Sequence, residues 1–449
     1  MGRLFGTDGV RGLYEKELTL QLAYALGRAG AQVLAENRRH KPVIVLGRDT
    51  RFSGPMLEEA LVKGICSTGA KALLLGVVPT PAVAYLTRFY RADAGIVISA
   101  SHNPAKDNGI KFFNHEGYKL PDAVEDSIEA RIEEEGLLAR PMLEPEQIRV
   151  EDIHEQAVTD YVDFAASIPA ASFKGLKVFL DCANGAASET AEKTFRKLGA
   201  EVSAIFAKPD GYNINDGCGS THMEALQRKM REGAYDVGFA FDGDADRCLA
   251  VDARGNLVDG DQIMALCATQ MKQKGLLKRD TIVVTVMSNL GLHLFAEKAG
   301  MHLEVTKVGD RYVLERMLEQ GYNIGGEQSG HVIFLDDNTT GDGLLSSLHV
   351  CQTMLELNQP LEELAGLMQV LPQVLLNVQA TKEQKERYEQ DPAVSAEIAF
   401  VEKQLKGAGR VLIRPSGTEP LIRVMLEGEH PEEIEAYAHR IAKAIENVK

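Results

Sequence analysis

Residues 43–75 read VIVLGRDTRFSGPMLEEALVKGICSTGAKALLL, and this stretch decides the fold. The apolar run Val43–Gly47 predicts a buried strand, and a helix is expected from about Met56. Gly69 lies where that helix should end, since glycine enters the left-handed cap conformation at low cost. A second apolar run, 72–75, completes a strand–helix–strand unit. Near-continuous apolar strands of this kind predict a parallel or mixed sheet that helices cover.

The same plan occurs twice more along the chain. Each copy has an apolar strand, a polar turn, an amphipathic helix, a glycine near the helix end and a second strand. The second copy starts at Val178–Asp181 and the third at Ile282–Thr285. We therefore predict three similar α/β domains with mixed sheets.

The C-terminal residues follow a different plan. Arg410–Ile413 and Leu421–Met425 predict two strands on either side of a loop. A helix is expected over residues 431–448, with Pro431 in its first turn. This pattern predicts a smaller α+β domain. Candidate linkers lie at 136–145, 252–260 and 368–373, so the predicted domains span residues 1–152, 153–254, 255–368 and 369–449.

The composition limits the class of protein. The chain has 449 residues, of which 45% are hydrophobic, and its formal net charge is −16. This acidic balance argues against nucleic-acid binding, which needs a basic surface. The six cysteines are scattered singly, so we expect buried, reduced thiols and no zinc site. The N-terminus lacks an apolar signal core, and no apolar stretch is long enough to span a bilayer. We therefore expect a cytoplasmic protein without a membrane partner.

Three aspartates, Asp242, Asp244 and Asp246, follow the apolar run Phe239–Phe241. An EF-hand loop is excluded, since Arg247 stands where that loop needs glycine. A solvated acidic turn is one interpretation. The other is a metal loop, because carboxylates at alternate positions repel one another unless a cation lies between them. Oxygen ligands favour Mg²⁺, with a phosphate oxygen as a further ligand.

Ser101 lies in the sequence GIVISASHNP at 95–104, where an apolar run ends in small polar residues. This pattern predicts a buried strand that places a hydroxyl in a turn. Alone, such a serine most often caps a helix or a turn, and no GxSxG elbow surrounds it. A hydroxyl combined with a hard-metal site, however, is typical of phosphoryl transfer.

Three further loops carry polar groups at high density. Residues 414–420, RPSGTEP, combine an arginine, two hydroxyls and a glycine, which suits a phosphate site. Residues 325–331, GGEQSGH, offer donors and acceptors suited to sugar hydroxyls. Residues 5–12, FGTDGVRG, place an arginine in a glycine-rich loop. An ordinary turn is the alternative interpretation of each.

Taken together, the motifs resemble those of the α-D-phosphohexomutase family. The resemblance implies four domains around a central cleft, with at least one motif from each domain. Five motifs occur in the family's order over the whole chain: FGTDGVRG at 5–12, SASHNPAKDNGIKFF at 99–113, DGDADR at 242–247, GEQSGH at 326–331 and RPSGTEPLIRVM at 414–425.

The resemblance also implies a role for each candidate residue. Ser101 would be a phosphoserine that donates to the sugar and receives from it, and its phosphate would share the metal ion with the three aspartates. The implied sets are a metal site (Ser101, Asp242, Asp244, Asp246), catalytic groups (Ser101, Arg11, Lys111, Arg247, His331), sugar contacts (Gly309, Asp310, Glu327, Ser329) and a phosphate clamp (Arg414, Ser416, Gly417, Thr418).

The implied reaction interconverts glucosamine 6-phosphate and glucosamine 1-phosphate, feeding UDP-N-acetylglucosamine and cell-wall synthesis. One Mg²⁺ per site would be the cofactor, and glucosamine 1,6-bisphosphate the intermediate and activator. The only partner implied is the small phosphosugar, with a homodimer left open. Gln328 favours an amino sugar, and glucose or mannose phosphates are the alternative substrates. The remote alternative, a non-catalytic divalent-metal-binding protein, would need neither Ser101 nor the clamp.

Overall fold

The computed structural model describes residues 3–6, 8–36, 40–139, 141–142, 148–416 and 420–448. The chain divides into two compact units. The larger unit comprises Met1–Met287 and Met301–Leu367, and the smaller comprises Ser288–Gly300 and Met368–Lys449. Within the described residues, no helix is long and apolar enough to cross a bilayer. The six cysteines are all described, and each is buried and outside a disulfide.

The first sheet of the larger unit is mixed, as the apolar strands predict. Its elements are β1 (Val10–Leu13), α1 (Leu20–Leu34), β2 (Val43–Arg48), α2 (Gly54–Cys66), β3 (Lys71–Val77), α3 (Thr80–Phe89), β4 (Ala94–Ile98), β5 (Asp107–Asn114), α4 (Asp122–Glu134) and β6 (Val150–Asp152). The strand order is β1-β5-β4-β2-β3-β6. The strands β4, β2, β3 and β6 are parallel, whereas β5 and β1 add antiparallel pairs at one side.

Helices α1 and α2 pack closely because glycines lie at their contact. A Cβ atom on Gly27 would lie 2.5 Å from Leu61 O, and one on Gly64 would lie 2.2 Å from Tyr24 O. Only a residue without a side chain permits two helix backbones to approach this closely. The apolar faces of both helices are buried in the core of the first sheet.

The second and third sheets of the larger unit repeat the mixed design. The second has α5 (His154–Ser167), β7 (Lys177–Asp181), α6 (Ala187–Lys197), β8 (Glu201–Ile205), α7 (Glu224–Glu232), β9 (Val237–Phe241), β10 (Cys248–Asp252) and β11 (Leu257–Val258), in strand order β11-β10-β9-β7-β8. The third segment has α8 (Gly260–Gln273), β12 (Thr281–Thr285), α9 (Leu290–Lys298), β13 (His302–Thr306), α10 (Asp310–Gln320), β14 (Ile324–Gly326), β15 (Val332–Phe334), α11 (Gly343–Leu357) and α12 (Leu361–Ala365), in strand order β13-β12-β14-β15. The predicted fold class is confirmed. The segment 252–260, where the sequence analysis expected a linker, contains the turn between β10 and β11 and the first residue of α8.

The smaller unit contains one antiparallel sheet. Its elements are β16 (Gln373–Gln379), α13 (Lys382–Arg387), α14 (Pro392–Leu405), β17 (Gly409–Pro415), β18 (Leu421–Gly428) and α15 (Pro431–Glu446), with strand order β16-β18-β17. The sequence analysis predicted β17, β18 and α15 but missed β16 and the two helices after it. Helix α9 lies within the third segment of the sequence but belongs to this smaller unit and not to the larger one. At the start of the helix, Glu427 accepts hydrogen bonds from Asn289 Nδ2 at 3.3 Å and Leu290 N at 3.0 Å.

The three sheets of the larger unit place polar loops in equivalent positions. Ser101 follows the carboxyl end of β4, Asp242 follows β9, and Glu327 follows β14. Each of these strands has a parallel neighbour in its sheet. The carboxyl ends of parallel strands are where α/β proteins bind their ligands. The fold therefore puts these loops where a site is expected.

Candidate active site

Ser101 lies in the turn that follows β4. Its φ angle is +52°, a left-handed conformation that non-glycine residues seldom adopt and that clusters at functional sites. The residue is 2% exposed. Its Oγ donates a hydrogen bond to Asp242 Oδ2 at 2.6 Å, and its amide donates to Ser99 Oγ at 3.0 Å. The first sheet thus presents this hydroxyl directly to the aspartate loop of the second sheet.

Arg51 holds the Ser101 turn in place, and the sequence analysis missed this residue. Its guanidinium is fully buried, and Nε pairs with Asp49 Oδ2 at 2.8 Å. The planar fork of an arginine can satisfy several carbonyl groups at once. The segment Asp49–Arg51 directly follows a buried strand, as Ser101 does, and that position was the available signal. The other guanidinium nitrogens donate to the carbonyl groups of Ser101 (3.0 Å), Asn103 (2.8 Å), Asp107 (2.9 Å) and Pro104.

The three predicted metal ligands do come together. Asp242, Asp244 and Asp246 are buried, and one carboxylate oxygen from each lies within 4.8 Å of the others. The Oδ1 atoms of Asp244 and Asp246 are buried without a hydrogen-bond partner among the described residues. Buried carboxylate oxygens are unfavourable unless a donor or a cation compensates them. The arrangement therefore fits a divalent metal ion with oxygen ligands.

The electrostatic surroundings differ between the two ends of this aspartate loop. Burial raises the pKa of Asp242 well above its ordinary value, and the carboxylates of Asp246 and Asp244 add to this effect. Burial acts in the same direction on Asp246, but the positive charges of His331 and Lys111 outweigh it and lower the pKa of Asp246. The charge of Arg247 opposes the rise at Asp242 without overcoming it, and a bound cation would compensate this end of the loop further.

Two of the predicted catalytic cations share one carboxylate, Asp8. Lys111, on β5, is 2% exposed, and its Nζ lies 3.0 Å from Asp244 Oδ2 and 2.9 Å from Asp8 Oδ2. Arg11 Nη2 donates to the same Asp8 oxygen at 2.6 Å. Burial alone would lower the pKa of Lys111, but Asp244 and Asp8 outweigh it and raise that pKa, so the amine is charged. Positive charge is therefore fixed beside the aspartate loop.

The third predicted cation, Arg247, contacts the histidine that follows the serine. Arg247 Nη1 lies 3.0 Å from His102 Nδ1, and this imidazole nitrogen lies 3.4 Å from Ser101 Oγ. Burial lowers the pKa of His102, and the charge of Arg247 adds to the effect. The imidazole is consequently neutral at pH 7 and can accept a hydrogen bond from the guanidinium.

The predicted sugar-facing residues lie on two loops that contact each other. The Gly309 amide donates to Glu327 Oε1 at 3.2 Å. His331 is buried between two carboxylates, with Nδ1 3.6 Å from Asp246 Oδ2 and Nε2 3.6 Å from Asp310 Oδ2. Burial would lower the pKa of His331, but Asp246 and Asp310 outweigh it and raise that pKa. Three of the four predicted sugar contacts, Gly309, Asp310 and Glu327, thus lie close to one another and to His331, which was predicted as a catalytic group.

Two neighbouring residues behave differently from the expectation. Ser329 is exposed and does not line the cavity described below. The side chain of Gln328, which favoured an amino sugar in the sequence analysis, donates to Asp259 Oδ2 at 3.2 Å. Asp259 is the N-cap of α8, so Gln328 supports a helix start and does not line the cavity either. The structure therefore gives no support to Gln328 as a group that contacts the sugar.

A polar cavity of about 580 Å³ lies beside these groups. Its volume suits a phosphorylated monosaccharide, since small-molecule sites have comparable volumes. Charged side chains of both signs line it, which suits a ligand with anionic and hydroxyl or amino groups. The lining includes Arg11, Lys119, Arg247, Asp310, Glu327 and His331.

The predicted phosphate clamp is in the smaller unit and is described only in part. Arg414 lies near the end of β17, and Ser416 follows the strand and is 8% exposed. Gly417 and Thr418 lie outside the described residues. The sequence analysis missed two cations: Arg423, which is opposite Arg414 in the antiparallel register, and Lys385, whose Nζ donates to the Ser416 carbonyl. Among the described residues, three positively charged side chains therefore lie around this end of β17.

Comparisons with known proteins agree with this architecture. Four family models match the chain, each described as a phosphoglucomutase/phosphomannomutase domain. They match alpha/beta/alpha domain I at residues 2–138, domain II at 159–255, domain III at 259–371 and the C-terminal domain at 375–444.

Individual relatives match over the full length. The phosphoglucosamine mutase of Clostridium acetobutylicum is 57% identical over 448 residues, which cover 99% of each chain. A phosphoglucomutase/phosphomannomutase family protein from Burkholderia thailandensis is 25% identical, with a TM-score of 0.83 over 99% of this chain and 98% of the other. The N-acetylphosphoglucosamine mutase of Aspergillus fumigatus, solved with GlcNAc-6P and magnesium, shares the fold at 18% identity, with a TM-score of 0.72 over 99% and 95% of the two chains. The chain thus belongs to the phosphoglucomutase/phosphomannomutase family of α-D-phosphohexomutases, enzymes of the isomerase class.

Proposed function

We propose that the chain acts as a phosphoglucosamine mutase, which interconverts glucosamine 6-phosphate and glucosamine 1-phosphate. The observation that carries the proposal is the hydrogen bond of 2.6 Å from Ser101 Oγ to Asp242. This bond joins a hydroxyl that can act as a nucleophile to a cluster of carboxylates that fits a metal ion. A cavity large enough for a monosaccharide lies beside them. The curated relative at 57% identity carries the same activity in its name, which supports the choice of substrate.

Ser101 is proposed to carry the phosphoryl group. In the first half-reaction the bond between phosphorus and Ser101 Oγ breaks while phosphorus bonds to a hydroxyl oxygen of the sugar, which yields glucosamine 1,6-bisphosphate. The sugar hydroxyl loses its proton in this step, and Ser101 Oγ is left protonated. In the second, the other phosphoryl group returns to Ser101. A loose transition state of this kind needs positioning and neutralisation of charge more than covalent assistance. Arg11, Lys111 and Arg247 supply positive charge at fixed positions, and His331 lies in the same polar network.

The metal ligands are proposed to be Asp242, Asp244, Asp246 and the phosphate on Ser101. Bound Mg²⁺ would stabilise negative charge on the transferred phosphoryl group. The buried Oδ1 atoms of Asp244 and Asp246, which have no hydrogen-bond partner among the described residues, support this assignment. The magnesium in the structure of the Aspergillus fumigatus enzyme supports the choice of ion.

The sugar and its second phosphate need separate contacts. Gly309, Asp310 and Glu327, which line the cavity, are proposed to hold the sugar, and Ser329 is retained as a prediction. Because the bisphosphate must reorient between the two half-reactions, the phosphate that is not reacting has to bind equally well from either end of the sugar. Flexible arginine and hydroxyl contacts permit this. The proposed clamp consists of Arg414, Ser416, Gly417 and Thr418.

A direct comparison of substrates tests the proposal. Turnover of glucosamine 6-phosphate, glucose 6-phosphate and mannose 6-phosphate would be measured on one preparation with Mg²⁺ and the matching 1,6-bisphosphate. We expect glucosamine 6-phosphate to have the highest kcat/KM, by at least roughly 10-fold, since a site built around an amino group discriminates against sugars that lack it. Faster turnover of a glucose or mannose phosphate would favour those alternatives. No turnover of any of the three would refute the proposal.

The wider setting is also proposed. A phosphoglucosamine mutase supplies amino sugar for UDP-N-acetylglucosamine and cell-wall precursors, and a cytoplasmic location is proposed on that basis. A homodimer is compatible with the family, and sedimentation of the purified protein would measure the assembly.

A further inference from the structure

Two charged side chains at the cavity have no role in the assignments above. Asp8 lies in the N-terminal loop that leads into β1, and Lys119 follows β5. The Lys119 Nζ lies 2.7 Å from Asp8 Oδ1 and also contacts Asp310 directly. The side chain of Asp8 is 23% exposed and that of Lys119 is 14% exposed. Charged side chains that are this buried destabilise a protein unless a partner compensates each of them. The presence of both charges at the cavity therefore needs an explanation.

Asp8 is a point where positive charge converges. One of its oxygens accepts from Arg11 at 2.6 Å and lies 2.9 Å from Lys111 Nζ, and the other lies 2.7 Å from Lys119 Nζ. Burial would raise the pKa of Asp8, but Lys111 and Lys119 outweigh it and hold that pKa well below its ordinary value. The carboxylate is therefore negative, and it fixes the positions of three cations at once.

These contacts close into a ring in which positive and negative side chains alternate. Each member faces two members of opposite charge, with the histidine as the third cation when it is protonated. The ring runs Lys111–Asp8 (2.9 Å), Asp8–Lys119 (2.7 Å), Lys119–Asp310, Asp310–His331 (3.6 Å), His331–Asp246 (3.6 Å) and Asp246–Lys111 (3.9 Å).

We propose that Asp8 and Lys119 are positioning residues. Together they hold the cations of the phosphoryl site at a fixed position relative to the sugar-facing loop. The proposal rests on the proposed function. Asp8 orients the guanidinium of Arg11, which is 34% exposed and lines the cavity. Lys119 contacts both Asp8 and Asp310, and so connects Asp8 to the sugar-facing loop. In that loop the Gly309 amide donates a hydrogen bond to Glu327. The two sides of the cavity are thereby held to each other.

The charges in the ring explain why the side chain between Asp8 and Asp310 is a lysine and not an uncharged hydrogen-bond donor. Two carboxylates that face one side chain repel each other unless that side chain carries positive charge. Burial would lower the pKa of Lys119, but Asp310 and Asp8 outweigh it and raise that pKa, so the amine is charged. Loss of this charge would push the two loops apart, and a displacement of about 1 Å at a reacting centre can reduce a rate by roughly 100-fold.

The test replaces Lys119 by methionine, which has similar length and no charge. We expect Lys119→Met to lower kcat by roughly 10–100-fold, as loss of a supporting contact commonly does. Lys119→Arg restores the charge and should recover most of that loss. The matched control is Lys174→Met, at an exposed lysine before β7, which should behave as wild type. The proposal would be overturned if Lys119→Met kept the wild-type kcat, or if Lys119→Arg were as impaired as Lys119→Met.

A second variant covers the case in which Lys119→Met fails to fold. Asp8→Asn keeps the shape of the side chain and removes its charge, so it should lower kcat by a similar factor. If the ring acts as a unit, the double variant Asp8→Asn/Lys119→Met should lose little more than the worse single variant. Losses that multiply would show two independent residues and overturn the proposal.

A measurement without substrate separates this proposal from the proposed function. Hydrogen exchange on the metal-free, substrate-free protein would follow the peptide that covers residues 308–312. Its amides include Gly309, which donates to Glu327, and Tyr312, which donates to the Gly309 carbonyl. We expect faster exchange there in Lys119→Met but not in Lys174→Met. Unchanged exchange would overturn the ring, whereas a wild-type enzyme that is inactive on every hexose phosphate would refute only the proposed function.

Discussion

Replacement of the buried Arg51 by lysine should both destabilise the larger unit and impair turnover. The guanidinium makes five contacts: Nε with Asp49, and the other two nitrogens with four carbonyl groups of the Ser101 turn. A lysine ammonium has only three hydrogens on one atom. At least two of the five contacts are therefore lost in Arg51→Lys, although the positive charge is kept.

The magnitude follows from the number of contacts that are lost. Most of these acceptors keep a second donor, as the carbonyl groups of Ser101 and Asn103 do in Asn215 Nδ2. Each lost contact therefore costs about 1.5–3 kcal/mol, the contribution of a hydrogen bond from a charged group, and two or more give a loss of about 3–6 kcal/mol in the free energy of unfolding. The same contacts hold Ser101 at a φ angle of +52°. We therefore also expect kcat to fall by roughly 100-fold, because the hydroxyl no longer has a fixed position.

The chain has no tryptophan, so urea unfolding would be followed by far-ultraviolet circular dichroism, alongside steady-state turnover. The control is Arg196→Lys, since Arg196 forms an exposed ion pair with Glu192 at 2.7 Å. An exposed pair of this kind contributes about 0–1 kcal/mol, so the control should unfold and turn over as wild type. If Arg51→Lys matched that control in both measurements, the view that Arg51 positions the nucleophile would be wrong.

Three further predictions concern the proposed phosphoryl site. Ser101→Ala should abolish mutase activity and keep the far-ultraviolet spectrum, and intact-mass analysis should find a phosphate on Ser101 in part of the wild-type protein; activity near wild type in the alanine variant would end the phosphoserine mechanism. Asp244→Asn should lower turnover by at least roughly 100-fold, because it removes a ligand and a charge together. Chelator-treated wild type should be inactive and recover with Mg²⁺, and full activity in EDTA would contradict the metal site. Arg414→Ala should lower kcat/KM by roughly 10–200-fold in both reaction directions, since a charge-assisted hydrogen bond contributes about 1.5–3 kcal/mol; a loss in one direction only would contradict a clamp that serves both ends of the bisphosphate.

Local patterns were sufficient for much of the fold. The apolar runs at 43–47, 178–181 and 282–285 lie in strands β2, β7 and β12, as predicted. These signals are strong because a buried strand must be apolar over its whole length, and the residues after it must turn. The same reasoning correctly placed Ser101 and Asp242 directly after buried strands.

Other elements carried weaker local signals. Strand β16 has exposed residues alternating with partly buried ones, and the sequence analysis treated its first residue as part of a linker. The sequence analysis also expected a linker at 252–260, a segment that contains the two-residue strand β11. Short or half-exposed strands are stabilised by their partners in the sheet, and those partners are distant in the sequence.

The pairing of side chains was decided by the tertiary structure alone. Sequence and resemblance named Ser101, Lys111 and the aspartates. The position of Arg51 just after a buried strand marks it as a candidate site residue, but only the tertiary structure shows that it supports the Ser101 turn. Likewise Asp8 and Lys119 are 111 positions apart, and they meet only because the loop before β1 and the turn after β5 lie together. Gln328 is an example of the opposite kind. Its motif predicted a contact with the sugar, but in the structure its side chain donates a hydrogen bond to Asp259.

By itself, the sequence determined the strands, the turns that follow them and the chemical groups which those turns present. These properties depend on backbone preferences and burial within short segments, which are readable from neighbouring residues. The tertiary structure decided which groups face one another, as when Ser101 meets Asp242 across 141 residues. Such contacts depend on strand order and register, and a hydrogen bond or an ion pair forms only within a few ångströms.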